Sequence, residues 1–179
     1  MLDSTSHILV GGTSAGANFS SVLSHLARDH KLDPPITGIY LGAPVVVHHD
    51  AVPSRYAPYY QSYYHMLDAP IIPRSAMEKL SACYQAVPSS PLYSSLLWPN
   101  GHSGLPRTYL QVCGLDPLRD DGLIYEEVLR KEAKVETRID VYVGLPHIFN
   151  VAFPDLEASR RFDRDRVQGF MWLIDGTRE

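Results

Sequence analysis

The chain has 179 residues, 45% hydrophobic and 20% charged, with a formal net charge of −4. Such a composition belongs to one ordinary globular domain with enough apolar material for a core, not to a disordered segment. The mild acidity argues against a nucleic-acid partner, and no apolar run reaches the length of a membrane span.

The one mixed basic cluster, Arg160 to Arg166, reads as the solvated face of a terminal helix. Two cysteines, Cys83 and Cys113, are too few for a disulfide framework. Met1 to Ser6 has neither the basic nor the apolar region of a secretory signal, so a reduced, cytoplasmic protein is the expectation.

In chain order, His7-Ile8-Leu9-Val10 opens a short buried strand over about 7–11, and Gly12-Thr13-Ser14-Ala15-Gly16 turns it into a helix over about 15–30. Phe19, Val22, Leu23 and Leu26 supply the apolar face of that helix, and Arg28 and Lys31 lie near its C-terminus, where cations suit the dipole. Pro34-Pro35 closes the helical register, and a second strand contains Ile39-Tyr40-Leu41.

The stretch 50–106 differs in character. It holds most of the prolines and tyrosines and reads as an ordered insertion on a core made of 1–49 and 107–179. Inside it Ser75 to Tyr84 forms a helix, with Ser75 as N-cap and Glu78 completing a capping box. A strand follows over Thr108 to Cys113, then a helix capped by Asp120 and running to about Ala133. Glu136 to Val143 is a further strand, and Ala158 to Ile174 an amphipathic helix. Near-continuous apolar strands interleaved with helices predict an α/β fold, with a mostly parallel sheet of about four strands covered on both faces.

Strand, G-x-S-x-G, helix is the context of a nucleophile elbow, in which a strained turn lifts the serine hydroxyl clear of the sheet. Side chains at Gly12 and Gly16 are expected to collide with the neighbouring strand and helix. A serine needs a base to take its proton, and the base needs a carboxylate to fix its tautomer. Asp116 follows the third strand and His147 the fourth, in the chain order serine, acid, histidine, at the strand ends where α/β sheets place ligands.

Asp120 and Asp121 read as helix-capping and first-turn residues. The other histidines, His48-His49 and His102 among them, show no metal-ligand spacing with acidic or cysteine partners, so no metal and no cofactor is called for. The tyrosine-rich insertion reads as packing that also offers walls for an acyl pocket.

Val10-Gly11-Gly12-Thr13-Ser14-Ala15-Gly16-Ala17-Asn18 resembles the elbow of the hormone-sensitive-lipase-like branch of the α/β-hydrolases. Gly114-Leu115-Asp116-Pro117-Leu118-Arg119-Asp120-Asp121-Gly122 resembles the acid segment of that branch, and Gly144-Leu145-Pro146-His147 its histidine loop. Ala158-Ser159-Arg160-Arg161-Phe162 is similar to the final helix of fungal esterases of this kind. The resemblance implies a truncated α/β-hydrolase fold with a partial cap insertion. It also implies roles for Ser14 as nucleophile, His147 as base and then acid, Asp116 as orienting partner and the Ala15 N–H as oxyanion donor.

Several features depart from the family pattern. The His-Gly-Gly-Gly oxyanion loop that the family carries upstream of its elbow has no counterpart here. Ile148 stands where a glycine is usual, and Asn18 where a second glycine is common. Losing one oxyanion donor costs about 100- to 1000-fold in turnover, so weakened competence is expected of this chain alone. The elbow strand becomes an open edge, to be covered by a second copy in a homodimer or by a complementary chain.

The leading functional expectation is a serine carboxylesterase acting on small-molecule acyl esters, with secondary metabolism as its setting. The alternatives are a non-hydrolytic binding or assembly module derived from such an esterase, and an acid–base enzyme, a cyclase or dehydratase, that reuses the pocket.

Overall fold

The computed structural model describes residues 8–175. His7, assigned above to the first strand, lies outside them. The elements are β1 (Ile8–Thr13), α1 (Ala15–Asp29), β2 (Ile36–Gly42), α2 (Ser62–His65), α3 (Arg74–Tyr84), β3 (Arg107–Leu115), α4 (Arg119–Glu127), β4 (Thr137–Pro146), α5 (Phe149–Ala152) and α6 (Glu157–Asp175). The strands form one parallel sheet of 4 in the order β1-β2-β3-β4, with β1 at one edge and unpaired on its outer side among the described residues. No helix among those residues is long and apolar enough to cross a membrane.

Alternation along the central strands divides the core, because successive side chains of a strand point to opposite faces. Ile39, Leu41 and Leu110 pack into one cluster with Tyr60, Ile124 and Leu129. Tyr40 and Tyr109 face the other way, against Leu173 of α6. The α6 helix comes close because Gly169 presents no side chain there; a Cβ at that position would lie 2.0 Å from Tyr109 Cε1. Polar groups buried on the same side are paired in sequence: the Tyr40 hydroxyl donates to Gln111 Oε1 at 2.8 Å, Gln111 Nε2 donates to the Tyr142 hydroxyl at 2.7 Å, and Tyr142 donates to Asp165 at 2.9 Å.

Three local expectations need correction. Only part of the stripe of large residues is on the buried face of α1: Val22 is buried and Leu26 half-buried, but Phe19 is 58% and Leu23 49% exposed, and Ala17, Ser20, Ser21, Ser24 and Ala27 are buried. A helix lying close against β1 and β2 takes mostly small residues on its inner side, and Phe19 and Leu23 are turned outward.

The N-cap of α3 is Pro73, not Ser75; Ser75 lies inside the first turn, and Glu78 pairs with Arg74 at 2.9 Å rather than closing a capping box. Nor does Asp120 cap its own helix, which starts at Arg119 after Leu118 and ends at Glu127, giving way to a π-helical turn over Val128–Glu132. Its carboxylate instead accepts the backbone N–H groups of Gln61 and Ser62 at 2.7 and 2.6 Å, at the start of α2. Asp121 accepts from Val46 N–H and Val47 N–H through one oxygen, at 2.9 and 3.1 Å. First-turn position held for both residues; what they bind was not local.

Burial drives Asp121 up to about 7, since lost hydration outweighs the two amide hydrogen bonds. Burial drives His25, in α1, down to about 4. These groups pull stability in opposite directions over the same pH range. Between 3.8 and about 7 the folded chain keeps a proton on Asp121 that the unfolded chain releases, so raising the pH destabilises. Between 6.5 and about 4 the unfolded chain takes up a proton that folded His25 refuses, so lowering the pH destabilises.

Asp121→Asn is therefore expected to leave a melting temperature that falls toward acid, and His25→Gln one that falls toward neutrality. Each slope amounts to roughly 10 °C across the range. Melting curves of both variants from pH 4 to 8 check this, and parallel profiles for the two would refute it.

Candidate active site

Strand register brings the site together. Thr13 at the end of β1 pairs with Gly42 of β2, and the Ser14 N–H donates to the Gly42 carbonyl at 2.8 Å. On the other side Leu115 of β3 pairs with Pro146 of β4, so the next residues on both strands, Asp116 and His147, emerge side by side. That pairing follows a register shift after Cys113, where the chains approach so closely that a Cβ on Gly114 would lie 2.8 Å from Val143 Cα.

Ser14 stands between strand and helix with φ 58° and ψ −119°, a sparsely populated conformation for a residue with a side chain. The resulting geometry is a continuous line: His147 Nε2 lies 2.9 Å from Ser14 Oγ, and His147 Nδ1 lies 2.7 Å from Asp116 Oδ2. The second oxygen of Asp116 accepts from Leu118 N–H at 2.9 Å. Asp116 is 1% and His147 3% exposed, so water competes little for either bond. An Nδ1–H donated to the carboxylate leaves Nε2 free to accept the serine proton. Ala15 and Gly16 open α1, and their N–H groups have no acceptor within the helix.

The two elbow glycines are not equivalent. A Cβ on Gly12 would lie 2.4 Å from the Gly16 carbonyl carbon and 2.8 Å from its Cα, so Gly12 is sterically required. A Cβ on Gly16 meets nothing within 4 Å, which corrects the expectation that a side chain there collides.

Ile148, directly after His147, adopts φ 44° and ψ 35°. The left-handed region is costly for a β-branched residue, by about 1–2 kcal/mol. Ile148→Gly is accordingly expected to leave stability within about 0.5 kcal/mol of wild type. At an ordinary half-buried position the same change costs about 2 kcal/mol from lost apolar burial and added chain entropy. Urea unfolding of the variant distinguishes the two outcomes.

Beside Ser14 lies a cavity of about 240 Å³ walled by Phe19, Ile72, Met77, Leu80, Tyr84 and Tyr93. The exposed Phe19, out of place in a helix core, is one of these walls. Asn18 was not predicted to contribute, yet its side-chain amide donates to the carbonyls of Val45 and Tyr93 at 2.9 and 2.6 Å and ties α1 to the cavity. Its one sequence signal was a polar residue where the family pattern has glycine. Cys113 is buried behind the site, its thiol pushed up to about 12 by burial and by the nearby Asp116, and it stays protonated.

His48 and His49, read from the sequence as lacking an acidic partner, have one in Asp50, and their ligand atoms lie within 4.8 Å of one another. The two rings stack at 4.2 Å and 27°. Asp50 N–H also donates to His48 Nδ1 at 3.2 Å.

Residues 3–151 match the family model described as alpha/beta hydrolase fold. An AB hydrolase superfamily protein of Schizosaccharomyces pombe is 42% identical over 92% of this chain and 48% of its own length. The versiconal hemiacetal acetate esterase of Dothistroma septosporum is 32% identical over 92% of this chain and 50% of its own. Among solved structures, vibralactone cyclase superposes with a TM-score of 0.92 at 34% identity, covering 99% of this chain and 52% of that one. Brefeldin A esterase, a bacterial homologue of human hormone-sensitive lipase, superposes with a TM-score of 0.78 at 26% identity over 96% of this chain. The chain thus spans about half the length of the curated relatives it matches. By this match the chain belongs to the α/β-hydrolase fold family.

Proposed function

We propose that the protein is a serine carboxylesterase working by acyl transfer through Ser14, His147 and Asp116. The observation that carries this reading is the unbroken line of 2.9 and 2.7 Å contacts from Ser14 Oγ through His147 to Asp116. Ser14 Oγ attacks the ester carbonyl while His147 Nε2 takes its proton, and Asp116 stabilises the imidazolium that forms. His147 then returns the proton to the leaving alcohol. Water, activated by the same imidazole, releases the acid from the acyl-enzyme. The oxyanion faces the Ala15 N–H at the head of α1, where the helix dipole also favours negative charge.

A fluorophosphonate probe mapped by mass spectrometry tests the assignment. The adduct is expected on Ser14, with labelling lost in Ser14→Ala and greatly slowed in His147→Ala. A folded protein that takes no label at Ser14 refutes it.

A second reading has specific support in the likeness to vibralactone cyclase. Here the same acyl-enzyme is captured by a hydroxyl of its own substrate, closing a lactone and needing no water. A hydroxy-ester substrate separates the two, since the lactone is lighter than the hydroxy acid by one molecule of water.

A further inference from the structure

We propose that the cavity beside Ser14 ends in a hydrogen-bonding seat for one neutral oxygen of the substrate, built from the hydroxyls of Ser81 and Tyr93. Esters with a carbonyl oxygen remote from the reacting group are then preferred over their hydrocarbon analogues. The inference rests on the ester-hydrolase reading above.

The main cavity is apolar along most of its wall, but Ser81 and Tyr93 line both it and a smaller adjoining space of about 20 Å³. A space of that size holds one water molecule or one oxygen atom. His48, from the segment after β2, also lines the smaller space and fixes the polarity of Ser81. Its Nδ1 accepts the Asp50 N–H at 3.2 Å, so Nε2 carries the proton and donates to Ser81 Oγ at 3.0 Å. Ser81 is thereby an acceptor from His48, and its own hydroxyl proton is free to be given away.

Two serines of α1 spend that proton on the carbonyl four residues back, Ser20 on Gly16 at 2.8 Å and Ser24 on Ser20 at 2.7 Å. Ser81 donates to no such carbonyl. The hydroxyl of half-buried Tyr93 likewise takes part in no hydrogen bond among the described residues.

Two neutral donors where a mostly apolar cavity meets the smaller space match a neutral acceptor carried on an apolar chain. No lysine or arginine lines either space to offset the cost of bringing in a carboxylate.

The test compares p-nitrophenyl hexanoate and octanoate with their terminal methyl-ketone counterparts of equal length. Wild type is expected to favour the ketone about tenfold in kcat/KM at one of the two lengths. That ratio falls to near one in Ser81→Ala and in Tyr93→Phe. Calorimetric titration of Ser14→Ala with the same pairs reads the preference as a ratio of Kd values without any turnover. A ratio near one in binding at both lengths, or one that survives in both seat variants, overturns the proposal. Absence of turnover by wild type counts against the esterase reading alone, and the binding ratio still decides the seat.

Discussion

Ser14→Ala is expected to lower hydrolysis of p-nitrophenyl butyrate by about 10⁴-fold or more, down to the background set by substrate binding alone. The loss is chemical, not structural. Ser14 makes no side-chain hydrogen bond to cap α1, and alanine suffers the same backbone strain at φ 58° as serine does. Melting temperature should therefore stay within a few degrees of wild type while turnover disappears. His147 and Asp116 remain 2.7 Å apart in the variant, but the imidazole has no hydroxyl left to deprotonate. Equal rates for the two proteins would show that the ester is cleaved elsewhere or not by this chain.

Gly12→Ala carries the second large effect, and Gly16→Ala is its control. At Gly12 the new methyl meets backbone atoms of Gly16 at 2.4 to 2.8 Å, and backbone on both sides of a tight turn cannot yield. A loss of about 3 kcal/mol or more is expected, which leaves a marginal domain partly unfolded. At Gly16 the methyl enters open space within a helix, where alanine outranks glycine by about 1 kcal/mol. Denaturant titration should separate the two variants widely. Comparable losses at both positions would mean that the elbow is held by something other than this contact.

The architecture was legible because its signals are periodic and local. Apolar strands alternating with helices announced the parallel sheet, and G-x-S-x-G between strand and helix placed Ser14. Asp116 and His147 were also within reach, since each is the first residue beyond a strand end and chain order ranks them. What brings those two together, the pairing of Leu115 with Pro146 after a register shift, is a property of two strands at once and leaves no mark on either alone.

The face of α1 was misjudged for a related reason: spacing identifies a stripe but not which layer it meets, and here the large residues Phe19 and Leu23 look outward. Asp120 and Asp121 looked like capping residues because local bonding is the commoner use of such positions. Their partners lie about sixty to seventy-five residues away, out of reach of any window-based rule.

Those two tethers have a mechanical outcome. Consecutive carboxylates on α4 hold segments 46–47 and 61–62 to the same helix that Asp116 leads into, and the Ser62 hydroxyl donates to Pro117 O at 2.8 Å. The chain beside Val45, which lines the cavity, and the loop that carries Asp116 are in this way tied to one helix. Reshaping the cavity by redesigning residues near Val45 would transmit torque to the acid, and a compensating change on α4 is where to look for its correction.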